Sequence, residues 1–89
     1  MKLVRKVKVK NALGLHTRPA AAIVKLLQLH KSSVSFTYKD ETVNARSIMS
    51  ILMLAAKKNT QLTITVDGED AEATMNRLLV AFDQEFGER

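Results

Sequence analysis

A histidine, an arginine and a proline fall together in the run GLHTRP, residues 14–19, where a strand-like pattern gives way to a helix-like one. A helix N-terminus leaves backbone N–H groups without intrahelical acceptors and carries roughly half a positive charge, which makes it a ready anion site. Thr17 and Arg18 would supply such N–H groups. Pro19 is tolerated there because first-turn N–H groups have no partner to lose, and its fixed φ suits the turn. Arg18 adds a planar, permanently charged fork that fits phosphate oxygens. Gly14 permits a backbone geometry or close approach that a side chain would forbid. His16, at or near the N-cap, places an imidazole that can carry a group covalently beside this cradle. A lone histidine at such a junction is ordinarily a capping or solvent-facing residue. Its company here points to an anion-binding site with a phosphorylatable histidine.

The elements that must hold these residues can be read from periodicity. Residues 3–9 alternate, with Leu3, Val7 and Val9 on one face and Lys6 and Lys8 on the other, as in a strand. Residues 17–29 place Ala20, Ile23, Val24 and Leu27 at helical spacing. Val34, Phe36 and Tyr38 alternate again, Lys39-Asp40-Glu41 is a polar turn, and residues 42–44 begin a short return strand. Ser47 is a preferred N-cap for a helix with Ile48, Ile51, Leu52 and Ala55 on one stripe. Leu62, Ile64 and Val66 alternate with threonines. Asp67 to Asp70 form a turn and the acidic start of a last helix, whose stripe is Met75, Leu78, Leu79, Phe82 and Phe86. The order β-α-β-β-α-β-α, with strands polar on one face, predicts an α+β fold: one sheet covered by three helices on one side.

With 89 residues and no cysteine, the chain reads as a single domain, 1–89, without disulfides or thiolate metal sites. Charges interrupt the apolar residues of MKLVRKVKVK, so neither a secretory leader nor a membrane span is expected, and a cytoplasmic protein is. The net charge of +5 hides an asymmetry. Residues 1–58 hold 12 Lys/Arg against 2 Asp/Glu, and residues 59–89 hold 2 against 7. A basic face should therefore meet acidic or phosphate-bearing partners. A small nucleic-acid-binding domain is one such reading. It is disfavoured because the four aromatics are not interleaved with Lys or Arg as a stacking platform needs.

The run GLHTRPAA resembles the active-site signature of the HPr family, the histidine-containing phosphocarriers of the phosphoenolpyruvate-dependent sugar phosphotransferase system. The later run ARSIMSILMLAAKKNTQLTITVDGEDA is similar to that family's regulatory-serine helix and the strand after it. The resemblance implies an open-faced β-sandwich with a four-stranded antiparallel sheet. It implies that His16 accepts a phosphoryl group on Nδ1 from phosphorylated enzyme I and passes it to enzyme IIA, with Arg18 steadying the phosphate. The protein would then be a carrier with a covalent intermediate rather than a stand-alone enzyme, a monomer without metal or organic cofactor. A regulatory or nitrogen-branch carrier of the same fold is the nearest alternative, and gene neighbourhood would separate the two.

The same resemblance matches Ser47 to a serine phosphorylated by HPr kinase/phosphorylase in some bacteria. Ser50 stands where the regulated version has glycine, and Asn59 stands where relatives often have glycine; asparagine tolerates the left-handed conformation well. Lys25, Arg46, Ile48, Met49 and Leu52 form the expected partner-docking surface. His30 and Lys31 read as cations placed at a helix C-terminus. Asp67, Glu69 and Asp70 lack EF-hand spacing and read as a turn and helix start. The tail FDQEFGER is longer than the pattern requires and receives no role.

Overall fold

Alternating residues build four strands in the computed structural model, which describes residues 1–88: β1 (Lys2–Lys8), β2 (Ser33–Tyr38), β3 (Glu41–Asn44) and β4 (Gln61–Asp67). They lie in the order β1-β4-β2-β3, and every pairing is antiparallel. Successive strand side chains point to opposite faces, so alternation separates a core face from an open one. Val34 and Phe36 of β2 and Leu62, Ile64 and Val66 of β4 are buried. Register places Phe36 opposite both Ile64 and Val43. On the open face Thr63 is aligned with both Lys6 and Thr37, and the Thr37 and Thr42 hydroxyls lie 2.8 Å apart.

Three helices cover the apolar face: α1 (Thr17–Leu27), α2 (Ile48–Met53) and α3 (Ala71–Asp83), followed by a single 3-10 turn at Glu85–Gly87. Ala20, Ile23 and Leu27 of α1 and Met75, Leu78 and Phe82 of α3 enter the core. Each fully buried Leu, Ile or Phe side chain stabilises the fold by roughly 1.5–3 kcal/mol, so these stripes account for much of the helix docking. Phe36 and Phe82 meet edge to face with centroids 5.8 Å apart, tying the sheet to α3.

Two helix expectations need correction. α2 stops at Met53, and Ala55 lies beyond it with φ of 52°, outside the core stripe. A helix of under two turns at the edge of the layer buries only Ile51; Ile48 and Leu52 stay 37% and 38% exposed, and Leu54 fills the core instead. α3 ends at Asp83, so Phe86 lies outside it in the turn that follows; it has φ of 53°, yet its ring still packs on Phe82 at 4.9 Å. Val9 falls just past β1 but remains buried, exchanging backbone hydrogen bonds with Thr60 and Asn59. Asn59 adopts φ of 73°, the left-handed geometry its residue type tolerates.

Candidate functional site

The loop from β1 to α1 is fixed by one close approach. Gly14 has φ of 69°, and a Cβ at this position would fall 2.2 Å from the carbonyl oxygen of Ala56. The same oxygen accepts from the Leu15 N–H at 2.9 Å. Only glycine satisfies both conditions, and the contact pins the loop against the segment that follows α2.

Pinning the loop sets His16 as the N-cap of α1, with φ of −77° and ψ of −167°. Its carbonyl accepts from the Ala20 N–H at 3.1 Å, while its side chain makes no capping hydrogen bond. The imidazole is therefore not spent on the helix. Thr17 and Arg18 are the first two helical residues, and Pro19, next in line, has no N–H. Two backbone donors thus head the helix, beside an Arg18 side chain that is 78% exposed. The helix thus starts where the pattern of residues 14–19 sets it.

Sequence reasoning missed a carboxylate. Glu88 Oε2 approaches His16 Nε2 to 2.8 Å and lies 4.0 Å from Arg18 Nε. The Nε2 direction is not aligned for a hydrogen bond, so the two groups are in close polar contact without a formed bond. Asn11, fully buried, steadies this carboxylate by donating from Nδ2 to Glu88 Oε1 at 2.6 Å and to the Glu85 carbonyl at 2.9 Å. Neither Asn11 nor Glu88 lies near the signature in a pattern that marks it. Their meeting depends on where α3 ends.

Beside His16 runs a shallow groove of about 300 Å³ that also involves Leu13, Leu15, Leu52, Ala55, Ala56 and Lys57. Of its apolar lining Leu13 is 76% exposed and Leu52 38%, and on the helix that carries Leu52, Met49 is 73% exposed and Ile48 37%. All three expected patch residues of α2 therefore face outward. Leu13 joins them as an addition that periodicity could not supply, because it belongs to a loop.

The remaining expected residues divide. Lys25 is exposed in the last turn of α1. Arg46 is not a free docking cation: its guanidinium donates to the carbonyls of Leu27, His30 and Ser32 at 2.7–2.8 Å. Carbonyls at a helix C-terminus lack intrahelical donors, and a forked cation satisfies several at once. Ser47 caps α2, its Oγ accepting from the Ser50 N–H at 3.2 Å. Since Ser50 serves the cap through its backbone, a serine in place of glycine leaves the cap intact. His30 sits with Nδ1 3.5 Å from Asp70 Oδ2. Asp70 accepts from the Ser32 hydroxyl and from the N–H groups of Lys31 and Ser32, which hold its carboxyl well below the usual carboxylate range. Among the described residues no group of three or more His, Cys, Asp or Glu side chains is arranged to hold a metal, and no helix is long and apolar enough to cross a membrane.

Fold and site together define a class: a small α+β carrier that offers one histidine at a helix N-terminus beside an apolar patch. The family model described as the PTS HPr component phosphorylation site matches residues 3–84, and the chain belongs to the HPr family, the phosphocarriers of the phosphotransferase system. The phosphocarrier protein HPr of Chlamydia muridarum is 45% identical over 80 residues, covering 90% of this chain and 77% of that protein. That of Xylella fastidiosa is 38% identical, covering 90% of each. The crystal structure of HPr-C-His from Thermoanaerobacter tengcongensis superposes with a TM-score of 0.93 at 30% identity, covering 98% of both chains.

Proposed function

We propose that His16 is the phosphoryl acceptor, receiving the group from phosphorylated enzyme I and delivering it to enzyme IIA components for carbohydrate uptake. The observation that carries this reading is that the His16 ring, 30% exposed at the N-cap of α1, takes no part in capping and borders the exposed apolar patch. The Nδ1 lone pair attacks phosphorus, the donor's P–N bond breaks, and its electron pair returns to the donor ring. The two backbone donors of Thr17 and Arg18 and the Arg18 fork stabilise the phosphoryl oxygens as charge shifts among them. No metal or organic cofactor is needed for this exchange between two nitrogens.

In this reading Ile48, Met49 and Leu52 meet the partners' apolar surface, where flexible methionine suits more than one partner. Lys25 and the basic first half of the chain steer acidic partners toward it. Phosphorylation of Ser47 by an HPr kinase/phosphorylase would add about −1.5 to −2 charge beside that patch and weaken docking. The carrier works as a cytoplasmic monomer. The test is incubation with enzyme I and phosphoenolpyruvate: an acid-labile, base-stable phosphate on the wild-type protein is expected, and its absence overturns the reading.

A further inference from the structure

We infer that Glu88 is a positioning residue for the transfer, holding the proton of His16 on Nε2 so that Nδ1 presents its lone pair. The inference rests on His16 being the acceptor. It starts from the unequal surroundings of the two ring nitrogens. Nε2 is buried and has Glu88 Oε2 at 2.8 Å, so the exposure of the ring comes from its other atoms. A phosphoryl donor arriving from solvent cannot reach Nε2.

The carboxylate also decides which nitrogen carries the proton. A carboxylate oxygen 2.8 Å from Nε2 repels the lone pair of an unprotonated nitrogen and attracts an N–H, even out of line. The present contact is out of line, and polar contacts of this kind often tighten only when a partner is bound. With Nε2 protonated, attack by Nδ1 needs no proton transfer. The new N–P bond leaves the ring as a phosphorylated imidazolium, and the positive charge disappears again when the group moves on. The other charged neighbours, Arg18 at the head of α1 and Lys57 across the groove, are cations, and the helix end adds partial positive charge. All three oppose a cationic ring, and Glu88 offsets them.

Several features hold the carboxylate in place. Its side chain is only 16% exposed, which is uncommon for a glutamate. The Phe86 ring anchors the tail on Phe82, and Asn11 binds both Glu85 and Glu88. Glu85, Phe86 and Gly87 all have positive φ, a sequence of conformations that turns the chain back toward α1. Non-glycine residues hold such geometry only where the surroundings impose it. The tail is thus directed by packing, and its carboxylate arrives at one atom of the ring.

The experiment compares the full chain with its Glu88→Gln variant, which keeps an oxygen for Asn11 but removes the charge. Nitrogen-15 NMR of the free proteins should show the Nε2–H tautomer dominant in the wild type and reduced in the variant. Phosphoryl acceptance from phosphorylated enzyme I should slow by about 3- to 10-fold in kcat, with KM nearly unchanged, as expected when a charge in contact with the reacting ring is lost. Glu88→Asp should recover part of the rate. Unchanged tautomers, an unchanged rate, or faster transfer (a carboxylate that merely obstructs the ring) would each overturn the inference. If the wild type itself takes no phosphate on His16, the parent reading fails instead.

Discussion

Arg46 Nη1 donates to the carbonyl oxygen of Leu27 at 2.8 Å, joining the residue before Ser47 to the last turn of α1. With Nη2 on His30 and Ser32, one side chain closes the C-terminal end of the helix whose other end carries His16. The site is thus braced from behind.

Arg46→Ala should therefore act on stability before it acts on docking. Hydrogen bonds to a charged group contribute about 1.5–3 kcal/mol, and losing this cluster should cost about 2–3 kcal/mol in urea unfolding. Arg46→Lys should recover only part, since an ammonium has no planar fork. Stability unchanged beside weakened enzyme I association would return Arg46 to the docking face.

The two histidines should behave oppositely in a labelling experiment. His16→Ala should abolish uptake of phosphate from phosphorylated enzyme I. His30→Ala should leave labelling nearly intact, because His30 faces Asp70 at the far end of α1. Arg18→Lys keeps the charge but loses the bidentate geometry, so transfer should slow by about 10-fold rather than vanish. Equal labelling of wild type and His16→Ala would remove His16 from its role.

Docking should depend on both apolar contact and charge. Met49→Ala and Ser47→Asp should each raise the apparent KM for this carrier with enzyme I, the second by adding negative charge at the edge of the patch. Association should weaken as ionic strength rises, and Lys25→Ala should flatten that dependence. A salt-independent KM would assign the contact to the apolar patch alone.

Asp70 predicts a pH dependence of stability. The Ser32 hydroxyl, first, and then the Lys31 N–H hold its folded-state pKa below the unfolded value. Its contribution is therefore full above the unfolded value of about 3.9 and is lost as pH falls below that toward the folded one. Asp70→Asn should lower the urea midpoint at pH 7, and the gap from wild type should narrow below about pH 4. A gap of constant size across that range would mean that hydrogen bonding without charge supplies the whole effect.

Much of this was legible along the chain because it is local. Alternation in residues 33–38 and 61–67 requires only that successive strand side chains face opposite ways, so the sheet and its buried face followed from residue order. The stripe Ala20, Ile23, Leu27 and the glycine, histidine, arginine and proline at the head of α1 are set within a few residues of one another, so the start of the helix followed as well. The left-handed Asn59 belongs with them.

Tertiary structure decided what depends on distant segments meeting. Periodicity put Ile48, Ile51 and Leu52 on one stripe without deciding which of them face outward, and the short α2 buries Ile51 and leaves the other two partly exposed. Charge alone put Arg46 on the docking face, but the carbonyls of Leu27, His30 and Ser32 at and beyond the end of α1 drew its guanidinium inward. Phe82 and Phe86 read as one helical stripe, but the path of residues 84–88 follows from the packing of Phe86 on Phe82 and the hydrogen bonds of Asn11, contacts that exist only once β1, α3 and the loop before α1 are assembled. The grouping of Gly14, His16, Arg18 and Pro19 is a property of the sequence, whereas the carboxylate beside the His16 ring is a property of the fold.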